Sequence, residues 1–422
     1  MLHERRLSFL RNTSALFGAQ AVSMIVPLVT VPYLARVLRP HGWAEVILAQ
    51  ALGAWLVLLL EFAFDLSGTR AVAHARNEPE SLPAVVAAIQ GAKLLLVPVA
   101  VLITLAVFFT LPVLKDRGAL LIWTLVFAIA RGLNPLWFFQ GLERMQGPVF
   151  IDAASKALAA LGVFFFVASP ADGWKVIALQ GVFALGSLVV LSLLMRRAVP
   201  YVMPSMEASL ARLAAGMGLF GVRAASGIYI QANTLILASL TGATTVAFFG
   251  GAERIVRASI NLLQPLTQAF LPRLSFLSVA TPARALRVIE LCMLAIGGLG
   301  LVFGATAFLG ATQLANLLLG PGYAPAIPIL RALAPLPVLV AINTVLGVYW
   351  AVPFGHERQY FRAVIAAGAT NVVLALLLVP RWGGLGMATA VVGAECTMSL
   401  WLGMLFTRRR HVLVIREQAV AS

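Results

Sequence analysis

Apolar stretches of about 20 residues or more recur along almost the whole chain, separated by short polar segments. An α-helix rises about 1.5 Å per residue, so a stretch of about this length can cross the hydrocarbon core of a bilayer. Of the 422 residues, 61% are hydrophobic and only 11% are charged, whereas a typical soluble domain is about 25% charged. The sequence therefore predicts an all-α integral membrane protein.

Twelve membrane spans are predicted on this rule. Most of the 31 Lys and Arg residues fall in segments that are cytoplasmic if the N-terminus is inside, so both termini are predicted to be cytoplasmic. The net charge of +15 is therefore interpreted as a signal of orientation, not of nucleic-acid binding. The predicted spans lie near 13–37, 43–66, 84–111, 118–140, 147–169, 174–195, 213–238, 245–272, 286–311, 325–351, 359–380 and 384–406.

The chain also resembles itself across its two halves. LFGAQA at 16–21 matches LFGVRA at 219–224, and six spans per half make both halves enter the membrane from the same side. We therefore predict two parallel six-helix lobes around a central cavity. The N-terminal lobe takes residues 1–203, which include the start of the interlobe linker, and the C-terminal lobe takes 204–422, with a basic cytoplasmic tail.

Several basic residues lie inside the predicted spans, where each costs about 2.5–3.5 kcal/mol at the bilayer centre if it faces lipid. We expect some of them to line a polar interior. In the eighth span Arg254, Arg257, Asn261, Gln264 and Gln268 follow one another at steps of three and four residues, which places them on one helical face. A structural ion pair between Glu253 and Arg257, four residues apart, is the alternative. The basic residues within the spans are Lys93, Arg131, Lys156, Arg223, Arg254, Arg257 and Arg331.

The seventh span adds Arg223, Tyr229 and Asn233 on one face. Two roles are open for Lys156: it contributes positive charge to the interior, or it pairs with Asp152, four residues before it. Intramembrane carboxylates are candidates for ion or proton coupling by default. Asp65 is equally well explained as a helix cap or a surface residue, and Glu61, Glu253 and Glu395 are assigned to ion coupling. The candidates are Glu61, Asp65, Asp152, Glu253 and Glu395.

Structural or gating roles are expected for another set of residues. Proline removes a backbone hydrogen bond and kinks a helix, while FFQGLERM at 138–145 places a Glu-Arg pair at a predicted cytoplasmic junction. The sequence has no P-loop, metal-spaced His/Cys cluster or nucleophile elbow, so neither an enzyme nor a cofactor is predicted. The residues in this set are Pro27, Pro32, Arg70, Glu143 and Arg144.

Several motifs together resemble the Wzx-type polysaccharide flippases. This is the O-antigen and exopolysaccharide branch of the superfamily that also holds the multidrug (MATE) exporters and the lipid II flippase. At two positions, Arg39 and Ala63, this chain departs from the glycine usual in the family, which leaves the local turn geometry in question. The motifs are VPYLARVLRP (31–40), EFAFDLSGTRAVA (61–73), LWFFQGLERM (136–145), FFGGAERI (248–255), QAFLPRLS (268–275) and GYAPAIPILRALAP (322–335).

The resemblance implies a MATE-like fold in the bacterial inner membrane that moves undecaprenyl-pyrophosphate-linked oligosaccharides to the periplasmic leaflet by alternating access, coupled to protons or sodium. Partners would be this substrate, membrane lipid, and a polysaccharide polymerase with chain-length or export proteins, but no nucleic acid. Arginines grip pyrophosphate bidentately, while amides and aromatic rings bind glycans. Pyrophosphate binding is assigned to Arg223, Arg254, Arg257, Lys93 and Lys156, and glycan contacts to Tyr229, Asn233, Asn261, Gln264 and Gln268.

Three other functions remain open from the residues alone. A cation-coupled exporter of small organic molecules would need unpaired acids in its cavity, but basic residues outnumber acids within the spans. A membrane-embedded polysaccharide polymerase would need a large outer loop with catalytic residues, and no segment between the predicted spans is long enough. A scaffold for a synthesis complex would tolerate changes in the cavity.

Overall fold

Long helices dominate the computed structural model, which describes the backbone of residues 2–78, 80–110, 114 and 117–421 and the side chains of most of these. Each of the twelve predicted spans is largely helical, although those at 118–140 and 325–351 are divided among two and three helical segments. The helices are α1 (Leu2–Glu61), α2 (Phe64–Ala75), α3 (Leu82–Thr110), α4 (Gly118–Gly132), α5 (Leu136–Gly141), α6 (Gln146–Phe166), α7 (Gly173–Ala198), α8 (Met206–Leu240), α9 (Ala243–Ala280), α10 (Pro282–Leu309), α11 (Ala311–Leu314), α12 (Ala326–Leu333), α13 (Leu336–Thr344), α14 (Glu357–Trp382) and α15 (Gly384–Ala421).

Nine helical segments of the described part of the chain are long and apolar enough to cross a membrane, and one of them, Val26–Ala75, is long enough for two crossings. The all-helical membrane fold expected from the sequence is confirmed. The total of twelve crossings and the cytoplasmic termini stay predictions.

The chain divides into two compact units, Met1–Gly227 and Ile228–Ser422, and the division falls within α8. The sequence placed the boundary between lobes at 203–204, in the linker that precedes this helix. That assignment stays a prediction.

A sharp corner at Arg39 divides α1 into two helical segments. Arg39 has φ 57° and ψ 174°, a conformation that side chains strongly disfavour, and Pro40 then begins the second segment with a φ already suited to a helix. A Cβ atom on Gly42 would lie 2.5 Å from the carbonyl oxygen of Pro170, so only glycine allows this close packing. The non-helical residue inside α1 is Arg39, and the structural role expected of Pro27 and Pro32 stays a prediction.

A second corner follows Glu61. Phe62 and Ala63 have φ values of 45° and 59°, which are positive although neither residue is glycine. The chain turns here and re-enters helix at Phe64, so that Asp65 lies in the first turn of α2. This corner places Glu61 and Asp65 on either side of a strained turn.

Helices α4 and α5 form a broken pair within the first unit. The side-chain oxygen of Asn134 accepts a hydrogen bond from the backbone N–H of Leu136 (3.2 Å), and the Asn134 amide donates to Ser187 of α7 (3.3 Å). Pro135 precedes α5 and cannot donate a helical hydrogen bond. The break is thus stabilised by side-chain hydrogen bonds in place of the missing backbone bonds.

The second unit has a core formed by α9, α10, α13 and the segment after α13. That segment, Val345–Ala351, is a π-helix whose Tyr349 and Trp350 are buried with Ile289 and Val345. A second cluster of small and sulfur-containing residues joins α14 to α15, with Ala363, Ala367, Ala394 and Met398 at its centre. Small residues at such contacts let membrane helices approach closely.

Candidate functional site

Arg223 is held by two carboxylates of the corner after α1. Its Nη1 lies 2.7 Å from Asp65 Oδ1, within hydrogen-bonding distance, and 3.9 Å from Glu61 Oε2. All three side chains are partly exposed, at 34–36% of their full surface. A guanidinium that already binds carboxylate oxygens has the geometry to bind phosphate oxygens instead.

Aromatic packing positions this ion pair. The rings of Phe62 and Phe220 stack with centroids 4.3 Å apart and planes at 12°. Gly216 faces the same phenylalanine: a Cβ added there would lie 3.4 Å from the Phe62 ring. Because Phe220 and Arg223 are three residues apart on α8, they project on the same side of the helix, and the stacked rings hold Arg223 beside Asp65.

Lys93 is buried in the first unit, with 2% of its surface exposed. Its ammonium group donates a hydrogen bond to the carbonyl oxygen of Gly132 (2.9 Å) and lies 5.9 Å from the centre of the Trp137 ring. Its charge also acts on Glu61. Lys93 therefore joins α3 to the C-terminal end of α4, where a cation interacts favourably with the helix dipole.

Arg131 and Lys156 share the carboxylate of Asp152. Arg131 Nη1 binds Asp152 Oδ1, and Lys156 Nζ lies 3.0 Å from Asp152 Oδ2. Asp152 is buried, whereas 39% of the Lys156 side chain is exposed. The i, i+4 pairing of Asp152 with Lys156 that the sequence offered as an alternative is present, and the second cation leaves the group with a net positive charge.

In the second unit, α9 has one face packed into the unit and another that carries polar groups. Phe249, Ala252, Val256 and Leu263 are buried, at helical spacing. The polar face predicted for the eighth span is more accessible. On it, Arg254 and Arg257 are partly buried, and Asn261 and Gln264 are exposed.

Glu253 and Arg257 form the structural ion pair, four residues apart, that the sequence offered as an alternative to a cationic cavity face. Arg257 Nε and Nη2 lie 2.9 and 2.8 Å from the same oxygen, Glu253 Oε1. The carboxylate is largely buried and the guanidinium is 38% exposed. Arg254, next in sequence to Glu253, interacts electrostatically with Glu253 and with the buried Tyr323.

A third polar group connects α13 to α15. The Asn343 amide donates to Glu395 Oε2 (2.6 Å) and to the backbone oxygen of Glu395 (3.2 Å), while Ser399 Oγ donates to Asn343 Oδ1 (2.8 Å). Asn343 is buried. The amide thus fixes one carboxylate oxygen of Glu395.

The remaining predicted residues lie apart from these groups. Asn233 is buried, and its side-chain oxygen accepts no hydrogen bond from the described residues.

The residues predicted to have structural or gating roles lie mostly at the surface. Pro27 is exposed and Pro32 partly buried within α1. Arg70 and Arg144 are exposed, and Glu143 pairs with Arg76 (2.6 Å) at the surface. The side chains of Tyr229 and Gln268 lie outside the described residues.

Sequence reasoning missed several partners. Asp65 was considered as a cap or surface residue, but it is the nearest carboxylate to Arg223. Asn343 and Ser399 were not considered at all. Both are polar residues inside apolar predicted spans, and this was the signal that could have identified them. A neutral amide or hydroxyl costs less in a membrane span than a charge, so this signal is weaker.

The comparison with solved structures defines the class of protein. A multidrug MATE transporter in an inward-facing conformation aligns with a TM-score of 0.68 and 17% identity, covering 94% of this chain and 99% of the other. The structure entitled "Lipid II flippase MurJ, inward closed conformation" aligns with a TM-score of 0.67 and 12% identity, covering 94% and 87%. The chain is therefore a multi-pass membrane protein with a MATE-like fold.

The sequence comparisons then give the family. A family model described as "Polysaccharide biosynthesis protein" matches residues 9–278, and this chain belongs to that family. Over 420 residues it is 26% identical to an Escherichia coli (strain K12) protein named "Putative O-antigen transporter", covering 98% of this chain and all of the relative. The resemblance predicted from the motifs is confirmed.

Proposed function

We propose that this protein is a flippase that moves undecaprenyl-pyrophosphate-linked oligosaccharide repeat units from the cytoplasmic to the periplasmic leaflet of the inner membrane. The relatives named for O-antigen transport and the fold shared with a lipid II flippase support this class of substrate. The observation that carries the proposal is the placement of Arg223 and Arg257 within the long helices α8 and α9, each beside a carboxylate.

The internal ion pairs suit a substrate that is released after each passage. Asp65 occupies Arg223, and Glu253 occupies Arg257, in the positions that phosphate oxygens would take. A pyrophosphate replaces the carboxylate at the guanidinium, and the carboxylate replaces the pyrophosphate when the substrate leaves. The desolvation cost of either exchange is small because the arginine is paired before and after it.

The exchange of carboxylate for pyrophosphate at an arginine also explains how transport could be coupled to an ion gradient. When pyrophosphate displaces Glu253 from Arg257, or weakens the 3.9 Å contact of Glu61 with Arg223, the carboxylate loses a neighbouring cation and becomes a site for a proton or Na⁺. Glu395, fixed by Asn343, is a further carboxylate that could bind an ion. A gradient acting on these groups would then drive the return of the carboxylates to their arginines.

Among the described residues, the charge pattern argues against an exporter of organic cations. Such a transporter needs carboxylates free to bind a cation, but Asp65, Asp152 and Glu253 all lie within 3.0 Å of a basic side chain. Glu61 lies 3.9 Å from Arg223, and Glu395 is hydrogen-bonded by Asn343. Around Asp152 the two cations outnumber the acid.

The test is transport of a defined undecaprenyl-pyrophosphate oligosaccharide in liposomes, with Arg223→Ala and Arg257→Ala made singly. Loss of a hydrogen-bonded charge contact costs about 1.5–3 kcal/mol, so we expect the apparent affinity for substrate to fall about 10- to 100-fold. Arg287→Ala, at an exposed arginine of α10, is the matched control and should transport normally.

Asp65→Asn gives an independent result. It removes the carboxylate that competes for Arg223, so we expect tighter substrate binding and slower turnover. The proposal fails if both arginine variants transport at the wild-type rate, or if Asp65→Asn weakens binding as much as Arg223→Ala does.

A further inference from the structure

The segment that joins α7 to α8 leaves large apolar side chains uncovered. Between the end of α7 at Ala198 and the start of α8 at Met206 the backbone forms no helix. Tyr201 is 64% exposed, Met203 82% and Met206 62%. Exposure of this kind is costly in water and marks a contact with another apolar phase.

The segment is nevertheless held in place. A Cβ atom on Gly91 of α3 would lie 2.2 Å from Ser209 Oγ and 2.6 Å from Pro204 Cβ, so only a glycine permits the approach. Ser205 Oγ accepts a hydrogen bond from the Ala208 N–H (3.1 Å), and Ser209 Oγ donates to the Ser205 carbonyl (2.8 Å). The joining segment therefore lies against the side of α3 as an ordered surface.

Arginines border the apolar side chains. Arg196 and Arg197, both exposed, end α7, and the Arg196 guanidinium lies 5.1 Å from the centre of the Tyr201 ring. Arg212 follows on α8, and Glu207 is the one acidic residue between 196 and 212. The segment thus combines positive charge, an aromatic ring and flexible apolar side chains, the composition typical of residues at a membrane interface.

Chain length keeps this segment at the membrane surface. Residues 199–205 span at most about 25 Å when fully extended, and α7 is long and apolar enough to cross the bilayer. The arginines at the end of α7 therefore lie at the level of the lipid headgroups, where Arg side chains extend toward phosphate.

We propose that residues 196–212 form a binding site for an anionic phospholipid. Arg196 and Arg197 bind the headgroup phosphate, and Tyr201, Met203 and Met206 lie among the acyl chains. Arginines at both ends of an exposed apolar segment, at the end of a helix long enough to cross the bilayer, favour lipid over a protein partner. This site takes membrane lipid and is separate from the arginines assigned to the transported substrate.

The experiment measures thermal unfolding of the full chain in detergent micelles during titration with phosphatidylglycerol. Phosphatidylcholine with the same acyl chains and soluble glycerol phosphate are the comparison ligands. We expect phosphatidylglycerol alone to raise the unfolding midpoint. Arg196→Gln with Arg197→Gln should weaken its apparent affinity about 30-fold, since each arginine contributes about 1 kcal/mol at an anionic surface.

Control variants distinguish binding at residues 196–212 from non-specific attraction of anionic lipid to the positively charged protein. Arg284→Gln with Arg287→Gln removes the same charge from two exposed positions of α10 and should leave the affinity unchanged, while Arg196→Lys with Arg197→Lys should retain most of it. The proposal is overturned if both glutamine pairs lose affinity equally, or if glycerol phosphate stabilises as well as the lipid. It is also overturned if the 196/197 variant binds phosphatidylglycerol normally but fails in cells, which would assign the segment to an acidic protein.

Discussion

Replacing Arg39 with glycine should stabilise the protein. With φ 57° and ψ 174°, Arg39 occupies a region of backbone space used almost only by glycine. Such strain costs about 1–3 kcal/mol. Glycine loses about 0.5–1 kcal/mol through its greater freedom in the unfolded chain. The Arg39 side chain is exposed, so little packing is lost, and the expected net gain in the free energy of unfolding is about 1 kcal/mol.

Equilibrium unfolding in mixed SDS and non-ionic detergent measures this difference, with Arg39→Ala as the matched control. Alanine removes the charge and the long side chain but keeps the Cβ atom, so its stability should stay near that of the wild type. If Arg39→Gly is no more stable than Arg39→Ala, the corner is not strained and the reasoning is wrong. Ala63→Gly at the second corner, with φ 59° and ψ 18°, relieves similar strain but removes a fully buried methyl group, so we expect its stability to stay near that of the wild type.

Three further changes test other contacts. Lys93→Met keeps the apolar stem but removes the donor to the Gly132 carbonyl, so the free energy of unfolding should fall by about 2 kcal/mol in the same assay. Asn343→Ala leaves Glu395 without its amide donor and should cost about 1–3 kcal/mol; an unchanged value would show that this carboxylate is not fixed by the amide. Burial, with a nearby arginine, lowers the pKa of His356 below 6.5, so its contribution to stability is present above pH 6.5 and is lost as the pH falls. His356→Gln should flatten stability against pH in that acidic range.

Helix positions could be predicted closely because membrane helices are specified by local composition. The span predicted at 174–195 lies in α7, Gly173–Ala198, and that at 359–380 lies in α14, Glu357–Trp382. An apolar stretch must be helical in lipid to satisfy its own backbone, wherever the rest of the chain lies. This part of the fold needs no knowledge of tertiary contacts.

Partners of the charged residues could be predicted only when they lay on the same helix. Glu253 with Arg257 and Asp152 with Lys156 follow from the i, i+4 spacing. Asp65, by contrast, is 158 residues before Arg223, and their contact depends on the turn after Glu61 and on the packing of α8. A single sequence carries no signal for a contact of that kind.

The two positions at which the motifs depart from the family's usual glycine, Arg39 and Ala63, lie at the corners within and after α1. Arg39 and Ala63 stand where glycine is usual, and both have positive φ. The resemblance left the local turn geometry at these positions undetermined. In the structure both residues adopt the positive-φ backbone conformation that favours glycine. The chain therefore carries strain at the turn that places Asp65 beside Arg223.

The two similar strings FFQGLERM and FFGGAERI end in Glu-Arg pairs with different surroundings. Glu143 pairs with Arg76 at an exposed surface, where an ion pair contributes little. Glu253 is largely buried and binds the arginine four residues later, where an unpaired charge would be costly. The same Glu-Arg dipeptide thus lies at a solvated contact in one unit and at a largely buried ion pair in the other. Under the proposed function, the second kind of pair keeps the partly buried arginine neutralised while no substrate is bound.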